Sequence, residues 1–420
     1  MESQLELERA RDWGTQTSDW QERINLDRLR KYRVDRTQRQ LKEKGIGAIL
    51  CYSYPAIRYI TGMWIPGWAR WTRHHQALIC RGGDPYYYAR GSFVFIHKET
   101  APWLKDRIFP SFWYSKGAFG PEVTAARSDE VASEVKARMK ENGVTGEPVG
   151  VDVDTPIPIV RALERAGMQV VDGEEAIMDA KAIKSAEEIY CMRVAAAIAE
   201  AAFEDAKNAL RPGVRGNELV GIILNKIFSM GAECDMVQPV VCSGPQTNMP
   251  GSCRAYSDRI IRPGDMVFFD IFASYMGYTT CYYRPFVLGR ATQEQKEIFQ
   301  QCLDLHKKIG KAFRPGVTTK DIAELFPTPE FWGFKEDWEV AGGCVAHGMG
   351  LGGYDKPWIS RPFSITHPQK IEEGMTIAFE EHTGRKDQKQ GCRLEDVIAI
   401  VPGGTENLYR WPLELIECPI

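Results

Sequence analysis

The stretch FFDIFASYMGYTTCYYRPF, residues 268–286, has the pattern of two apolar strands joined by a turn at Gly277 and Tyr278. The first strand carries one carboxylate, Asp270, and the second reaches Cys281, where a metal site would need another acid. Whether the stretch belongs to a metal-dependent hydrolase or to a protein that performs other chemistry depends on the rest of the sequence.

The composition is that of a globular protein with two domains. The chain has 420 residues, 44% of them apolar and 26% charged, with a formal net charge of −3. This length exceeds one ordinary core, and the charge gives no basis for binding nucleic acid or an anionic membrane. No apolar run could span a membrane, and the polar N-terminus lacks signal-peptide features. Because the 11 cysteines are scattered without a C-x-x-C pair, we expect free thiols and a cytoplasmic protein.

The periodicity of apolar residues changes near residue 184. Alternating helix and strand patterns predict a compact α/β domain over residues 1–183. An Ala-rich amphipathic stretch, residues 184–210, then predicts a long helix. Beyond it, strands paired by turns and two sets of helices predict an α+β domain over residues 184–420.

Polar residues interrupt four otherwise apolar strands of the second domain. They are Asp270, His347, Glu380 and Glu395. Alternation along a strand places Glu380 on one face with Thr376 and Ala378. A carboxylate in such a strand is costly to bury unless a cation, a proton or a donor accompanies it. We therefore expect the four residues to share one site.

An ordered set of motifs resembles the pita-bread family, which includes methionine aminopeptidase, prolidase, aminopeptidase P and creatinase. The motifs are SGPQTN (243–248), SDRIIRPGDMVFFD (257–270), HGMGL (347–351), GMTIAFE (374–380) and RLED (393–396). The resemblance implies an α+β protein with a C-terminal pita-bread domain, preceded by a smaller α/β domain of the creatinase type. Within the family the chain is most similar to the dimethylsulfoniopropionate lyase branch, which performs β-elimination.

The resemblance also implies a ligand set, from which this sequence departs. The ligand positions fall on Asp270, His347, Glu380 and Glu395, while the second, bridging aspartate falls on Cys281, or on Tyr282 if a gap is shifted. An additional lyase aspartate falls on Phe272. Two accessory histidines of the peptidases fall on Gly251 and Tyr354.

These departures argue against a dinuclear metal centre. Two divalent ions held close together need a bridging carboxylate to offset their repulsion, and Cys281 cannot bridge hard ions as an aspartate does. One divalent ion, zinc or iron, suits a set of Asp270, Cys281, His347, Glu380 and Glu395. Without a metal, two buried glutamates would share a proton and could act as acid and base. We expect no cofactor or a single loosely held ion, and Cys281 as a small buried apolar residue is the competing interpretation.

Aromatic and polar residues outside this set are candidates for substrate contacts. Tyr354 could donate to a substrate oxygen, Asp355 could be a base, and His382 could be a further acid or base; each could equally be structural. An aromatic wall could bind a cation or a ring. Its candidates are Trp64, Trp68, Arg70 and Trp71 in the N-terminal domain, with Tyr282, Tyr283 and Trp358 in the second. The alternative is a core or an interface. The family resemblance implies a homodimer in which one N-terminal domain overhangs the partner's active site.

The preferred interpretation is a lyase that is not a peptidase and that acts on a small organic molecule. Catalytic roles are expected for His347, Glu380 and Glu395, with Asp270 and Asp355 in support. A sulfonium compound and an aromatic compound, such as a plant-derived one, are both compatible with the aromatic residues. The alternatives are a creatinase-like C–N hydrolase, a prolidase or Xaa-Pro aminopeptidase with two ions, and a binding module without activity.

Overall fold

The computed structural model describes residues 24–70, 72–112, 118–233, 239–248, 257–340 and 344–420. Within these ranges the chain forms an N-terminal mixed sheet with helices, followed by a larger part that contains three further sheets. Among all the residues that the structure describes, no helix is both long enough and apolar enough to cross a membrane.

The N-terminal part is built on a six-stranded sheet in the order β4-β3-β2-β1-β5-β6. The strands are β1 (Ala48–Cys51), β2 (Gln76–Cys80), β3 (Tyr86–Ala89), β4 (Ile108–Pro110), β5 (Val149–Val151) and β6 (Val170–Asp172). Alternate residues of β1 pack in two separate apolar clusters: Ile49 lies in one and Leu50 lies in the other. The central strand is therefore covered on both faces, as in α/β proteins.

Among the described residues, seven α-helices accompany this sheet. They are α1 (Leu26–Glu43), α2 (Tyr54–Thr61), α3 (Gly67–Arg70), α4 (Gly91–Thr100), α5 (Pro121–Glu141), α6 (Ile157–Arg165) and α7 (Glu174–Ala182). The side chain of Asn25 caps α1 by accepting from the amide of Arg28 at 2.9 Å, and α2 ends at Gly62, whose φ of 74° favours glycine.

The long Ala-rich helix predicted over residues 184–210 is α8 (Ala186–Ala209). Ser185 and Glu188 form a capping box at its start, in which each side chain accepts from the other's amide. Small buried residues such as Ala195 and Ala199 let neighbouring elements approach this helix closely. It packs against α9 (Gly216–Ser229). The domain boundary at residue 183 remains a prediction.

The C-terminal part contains two larger sheets and one two-stranded ribbon, with strand orders β17-β11-β8-β7, β13-β12-β14-β15-β16 and β10-β9. The strands are β7 (Val240–Ser243), β8 (Met266–Asp270), β9 (Ala273–Tyr275), β10 (Tyr278–Thr280), β11 (Tyr283–Leu288), β12 (Cys344–Gly350), β13 (Gly353–Ser360), β14 (Thr376–Thr383), β15 (Cys392–Val401), β16 (Gly404–Asn407) and β17 (Ile416–Cys418). The remaining helices are α10 (Gln293–Gly310), α11 (Thr319–Ala323) and α12 (Arg361–Ser364). This mixture agrees with the expected α+β class.

Candidate active site

Five side chains predicted from the sequence converge where the two larger sheets meet. Ligand atoms of Asp270, Cys281 and Glu395 lie within 4.8 Å of one another, and so do those of His347, Glu380 and Glu395. Glu395 belongs to both groups, so the two triads form one cluster.

The strand register explains this convergence. Asp270 ends β8 opposite Tyr283 of β11, while Glu380 of β14 stands directly opposite Glu395 of β15. His347 of β12 pairs with Ala378 of β14, two residues before Glu380. A side chain at the next position, Gly348, would overlap the backbone of Lys356. The glycine therefore permits the close β12–β13 approach that places His347.

Cys281 lies between β10 and β11 and is buried among carboxylates. Its thiol donates to Glu395 Oε2 at 3.0 Å, and Sγ is 3.5 Å from Asp270 Oδ1. Burial, and then the charges of Asp270 and Glu395, raise the pKa of the thiol well above its usual value. Cys281 is therefore a neutral hydrogen-bond donor, and its one proton is directed to the closer acceptor, Glu395.

The two carboxyl groups beside this thiol bind protons more tightly than usual. Burial raises the pKa of Asp270 to about 7, although the side chain of Tyr283 and the charge of Arg393 oppose that effect. Burial also raises the pKa of Glu395 well above its ordinary value, and the charges of Glu380 and Asp270 add to the shift. Near neutral pH the pair can therefore provide a proton donor together with a group that gains and loses a proton.

Glu380 and His347 occupy the other half of the cluster. Arg393 contacts the carboxylate of Glu380, and its guanidinium lies 4.3 Å from the centre of the Tyr283 ring. Burial lowers the pKa of His347, so its imidazole is neutral. Its Nδ1 lies 3.1 Å from the carbonyl oxygen of Gly348. Because a carbonyl only accepts, Nδ1 carries the proton and Nε2 is left as an acceptor or ligand.

Two half-exposed aromatic rings flank His347. The ring centres of Tyr354 and Trp358 lie 4.5 and 6.0 Å from that of His347, and 5.9 Å from each other. Their exposed fractions, 51% and 45%, are high for residues beside a buried cluster. These rings therefore provide an accessible aromatic surface next to the carboxylates.

The residues of this cluster fit one divalent cation. Glu395 Oε1 is buried without a hydrogen-bond partner among the described residues, which is costly unless a cation or a proton satisfies it. Carboxylate, imidazole and thiol donors together suit zinc or iron. Glu395 is the carboxylate common to both triads of described residues, and Glu380 also contacts Arg393.

Asp355 does not lie in the cluster, contrary to the prediction. It is on the strand face opposite Tyr354, with Oδ1 2.6 Å from Lys181 Nζ and Oδ2 3.1 Å from Lys184 Nζ. Burial would raise the pKa of Asp355, but the two lysines outweigh it and the pKa is lowered. Asp355 is therefore a buried counter-ion, and a carboxylate so paired is a poor base. A side chain at Gly350 would overlap this ion pair.

His382 and Tyr282 make contacts that differ from the acid–base role considered for His382 and from the substrate contact considered for Tyr282. His382 shares the face of Glu380, as alternation predicts, but its Nε2 faces the carbonyl of Thr247 at 3.3 Å. Burial lowers the pKa of His382 to about 3, so it remains neutral at physiological pH. Tyr282 stacks on Tyr409 with ring centres 3.8 Å apart and belongs to the core. Tyr283, in contrast, contacts the site through Asp270 and Arg393.

The ring contacts of Trp68 and Arg70, two candidates for substrate binding, are with other residues of the N-terminal part. Trp68 packs on Phe93, with ring centres 5.9 Å apart, and the guanidinium of Arg70 lies 3.7 Å from the centre of the Tyr54 ring. Trp64 is half exposed. Trp71 and Gly251 lie outside the described residues. Substrate contacts by these residues stay a prediction.

The sequence interpretation did not assign a role to Arg393 or to the buried lysines. Arg393 shares a face with Glu395 by simple alternation, so the sequence carried that signal. Lys181 lies in the last helix of the N-terminal part and Lys184 at the predicted domain boundary, and neither gave a local sign that it would reach β13.

The fold and this cluster together define an enzyme scaffold of the pita-bread type. Residues 190–402 match the model of metallopeptidase family M24, and residues 33–183 match the creatinase/prolidase N-terminal domain. The chain belongs to metallopeptidase family M24. The expected resemblance and fold are thereby confirmed.

Known relatives include both hydrolases and a lyase. The chain is 27% identical over 348 residues to an Xaa-Pro dipeptidase of Pyrococcus horikoshii, covering 81% of this chain and 93% of that protein. It is 25% identical over 409 residues to the dimethylsulfoniopropionate lyase DddP of Roseovarius nubinhibens, covering 93% and 87%. The structure of an Xaa-Pro dipeptidase from Bacillus anthracis aligns with a TM-score of 0.72 at 23% identity, covering 92% and 99%. At that identity the likeness supports the fold alone.

Proposed function

We propose that this chain is an M24 enzyme that is not a peptidase, namely a lyase that eliminates a leaving group from a small organic substrate. The observation that carries the proposal is Cys281. A neutral thiol hydrogen-bonded to Glu395 stands where a dinuclear site would need a bridging carboxylate. A thiol in that role cannot offset the repulsion between two hard cations.

The side chains present support an acid–base elimination. Asp270, with a pKa of about 7, takes a proton from the carbon next to the leaving group as the C–C double bond forms. The bond to the leaving group breaks with its electron pair. Glu395, whose pKa is raised, supplies a proton when the leaving group departs as an anion. When the substrate is a sulfonium compound, the leaving group is a neutral sulfide and needs no proton. His347 Nε2 can accept a hydrogen bond from the substrate.

A single divalent ion also fits this proposal. His347, Glu380 and Glu395 would hold it, and Asp270 and Cys281 are further candidate ligands. When bound, such an ion polarises a substrate oxygen as a Lewis acid. Arg393 contacts Glu380 and helps to orient its carboxylate.

The surroundings of the cluster favour a substrate with a sulfonium or aromatic group. Asp270, Glu380 and Glu395 face one arginine, so the site carries an excess of acidic groups. Tyr354 and Trp358 expose ring faces beside it, which attract cations and stack on flat rings. We further propose a homodimer in which the partner's N-terminal domain covers the exposed side of the cluster, next to Tyr354 and Trp358, and adds the aromatic residues of its own surface.

Hydrolysis is the second candidate. The similarity to an Xaa-Pro dipeptidase over 81% of the chain favours a prolidase-type reaction, and a creatinase-like cleavage of a C–N bond needs fewer ions. A prolidase requires the cluster to hold two ions in spite of Cys281.

The deciding experiment compares reactions and metal content in one preparation. Release of dimethyl sulfide from dimethylsulfoniopropionate is followed by gas chromatography, and cleavage of Xaa-Pro dipeptides and of creatine is followed in parallel. Metal is counted by inductively coupled plasma mass spectrometry. Elimination that is abolished in Glu380→Gln and kept in Cys80→Ser, a buried thiol of the N-terminal sheet, supports the proposal. Dipeptide cleavage with two ions bound per chain would reject it.

A further inference from the structure

We propose that His306 and Arg284 form a clamp behind the candidate active site and act as positioning residues for Glu380 and Glu395. The inference concerns the geometry of the site and does not depend on which reaction the site performs.

Strands β14 and β15 carry an unusual concentration of acids. Glu380 and Glu395 are paired directly across the two strands, and the next residues, Glu381 and Asp396, point to the opposite face. All but Glu380 are fully buried. Like charges paired across strands destabilise a sheet, and buried charges need partners. Arg393 of β15 contacts Glu380 on the front face, so it is the rear-face acids, Glu381 and Asp396, that depend on cations from neighbouring elements.

His306, on α10, supplies one of these cations on the rear face. Its Nδ1 contacts the carboxylate of Glu381, and its Nε2 lies 3.0 Å from Asp396 Oδ2. The ring also stacks on Phe379 of β14, with centres 4.5 Å apart and planes at 13°. Both nitrogens face carboxyl groups, and this arrangement suits an imidazolium. Burial would lower the pKa of His306, but the two carboxylates raise it to about 10.

Arg284, on β11, supplies the second cation and the direct link to the site. Its Nη2 donates to Asp396 Oδ1 at 2.6 Å, and its Nη1 donates to the backbone carbonyl of Glu395 at 2.6 Å and to that of Tyr283 at 2.9 Å. Asn407 donates to Asp396 Oδ2 at 2.8 Å. Arg284 therefore fixes the backbone of a site residue and of its neighbour together.

The clamp positions Glu395 because few contacts on the front face hold the Glu395 side chain. Its side chain receives one hydrogen bond, from the Cys281 thiol, and its Oε1 has no partner among the described residues. The direction of the Glu395 carboxylate is thus set mainly by its backbone. His306 joins the two strands through Glu381 and Asp396, so it sets the separation of Glu380 and Glu395 as well.

The test first removes the charge of His306 and then also removes the charge of its partner, Glu381. Co²⁺ is titrated into the full-length chain, and its visible absorption bands report both affinity and ligand geometry. Substitution of groups that orient metal ligands weakens binding by about 10–100-fold, and we expect that loss, with altered bands, for His306→Gln. The double variant His306→Gln, Glu381→Gln should recover most of the affinity, because it pairs two amides in place of an unpaired carboxylate.

Two controls keep the outcome decisive. His75→Gln changes a histidine that is equally buried, in the N-terminal domain, where it hydrogen-bonds Tyr87 at 2.7 Å; it should bind Co²⁺ as the wild type does. Arg284→Lys keeps the charge but cannot bridge the two carbonyls, and should also shift the bands. Wild-type binding by His306→Gln, or an equal loss in His75→Gln, would overturn the proposal.

Hydrogen exchange tests the same clamp without any metal. We expect faster exchange in His306→Gln within residues 376–383 and 392–401, and reversal of this change in the double variant. Unchanged protection of those two segments, or a loss that the double variant does not reverse, would overturn the proposal even if the wild type binds no Co²⁺.

Discussion

The exchange Asp270→Asn should remove a pH dependence of stability that the wild-type chain shows when metal is absent. Burial raises the pKa of Asp270 from 3.8 to about 7. Between these values the folded chain keeps a proton that the unfolded chain has released. The unfolded state then binds fewer protons, so the free energy of unfolding falls as pH rises, by about 1.4 kcal/mol per pH unit. Across the interval the loss attributable to this group is roughly 4 kcal/mol.

Urea unfolding between about pH 4 and pH 8, in the presence of a chelator, measures this effect. The chelator is needed because a bound cation would favour the ionised carboxylate and mask the slope. Asp84→Asn, at an exposed position, should keep the wild-type profile. A profile for Asp270→Asn that runs parallel to that of the wild type would refute the assignment of a buried, proton-binding carboxyl to this position.

Three further results are expected. Cys281→Asp should enable the chain to hold an additional Mn²⁺ or Co²⁺ ion, counted by inductively coupled plasma mass spectrometry; an unchanged count would show that the thiol does not limit the site. Trp358→Ala should raise KM for an onium or aromatic substrate by about 5–30-fold, the equivalent of roughly 1–2 kcal/mol, with kcat nearly constant; a fall in kcat alone would contradict a binding role. Asp355→Asn leaves Lys181 and Lys184 buried without a counter-ion and should lower the free energy of unfolding by about 3–5 kcal/mol, measured in urea; a loss below about 1 kcal/mol would show that the lysines find other partners.

Local patterns in the sequence were sufficient to predict the strands of the site. Asp270 and Glu395 interrupt apolar runs, and period-two alternation assigns Glu380 and His382 to one face, which is how β14 presents them. The capping box at Ser185 and the alanine stripe behind it define α8 in the same way. These features depend on neighbours in sequence, so a single chain is enough to read them.

Contacts between distant segments were not predictable in the same way. Asp355 follows Tyr354 in a loop-like motif, and only the folded chain reveals that Lys181 and Lys184 take its charge. His306 lies on an ordinary amphipathic helix, and its two carboxylate partners come from strands about 75 and 90 residues further along the chain. Register and helix docking decide such pairs, and neither is encoded by local periodicity.

The buried ion pair between Asp355 and the two lysines has a consequence for the evolution of the chain. Lys181 belongs to the last helix of the N-terminal part, and Asp355 belongs to the hairpin that carries His347. Recombination that joined the C-terminal part to the N-terminal part of another family member would leave Asp355 buried without a counter-ion. This would be avoided only if the other N-terminal part carried matching lysines. Viable chimeras should therefore have their crossover point upstream of Lys181, so that both lysines and Asp355 are inherited together.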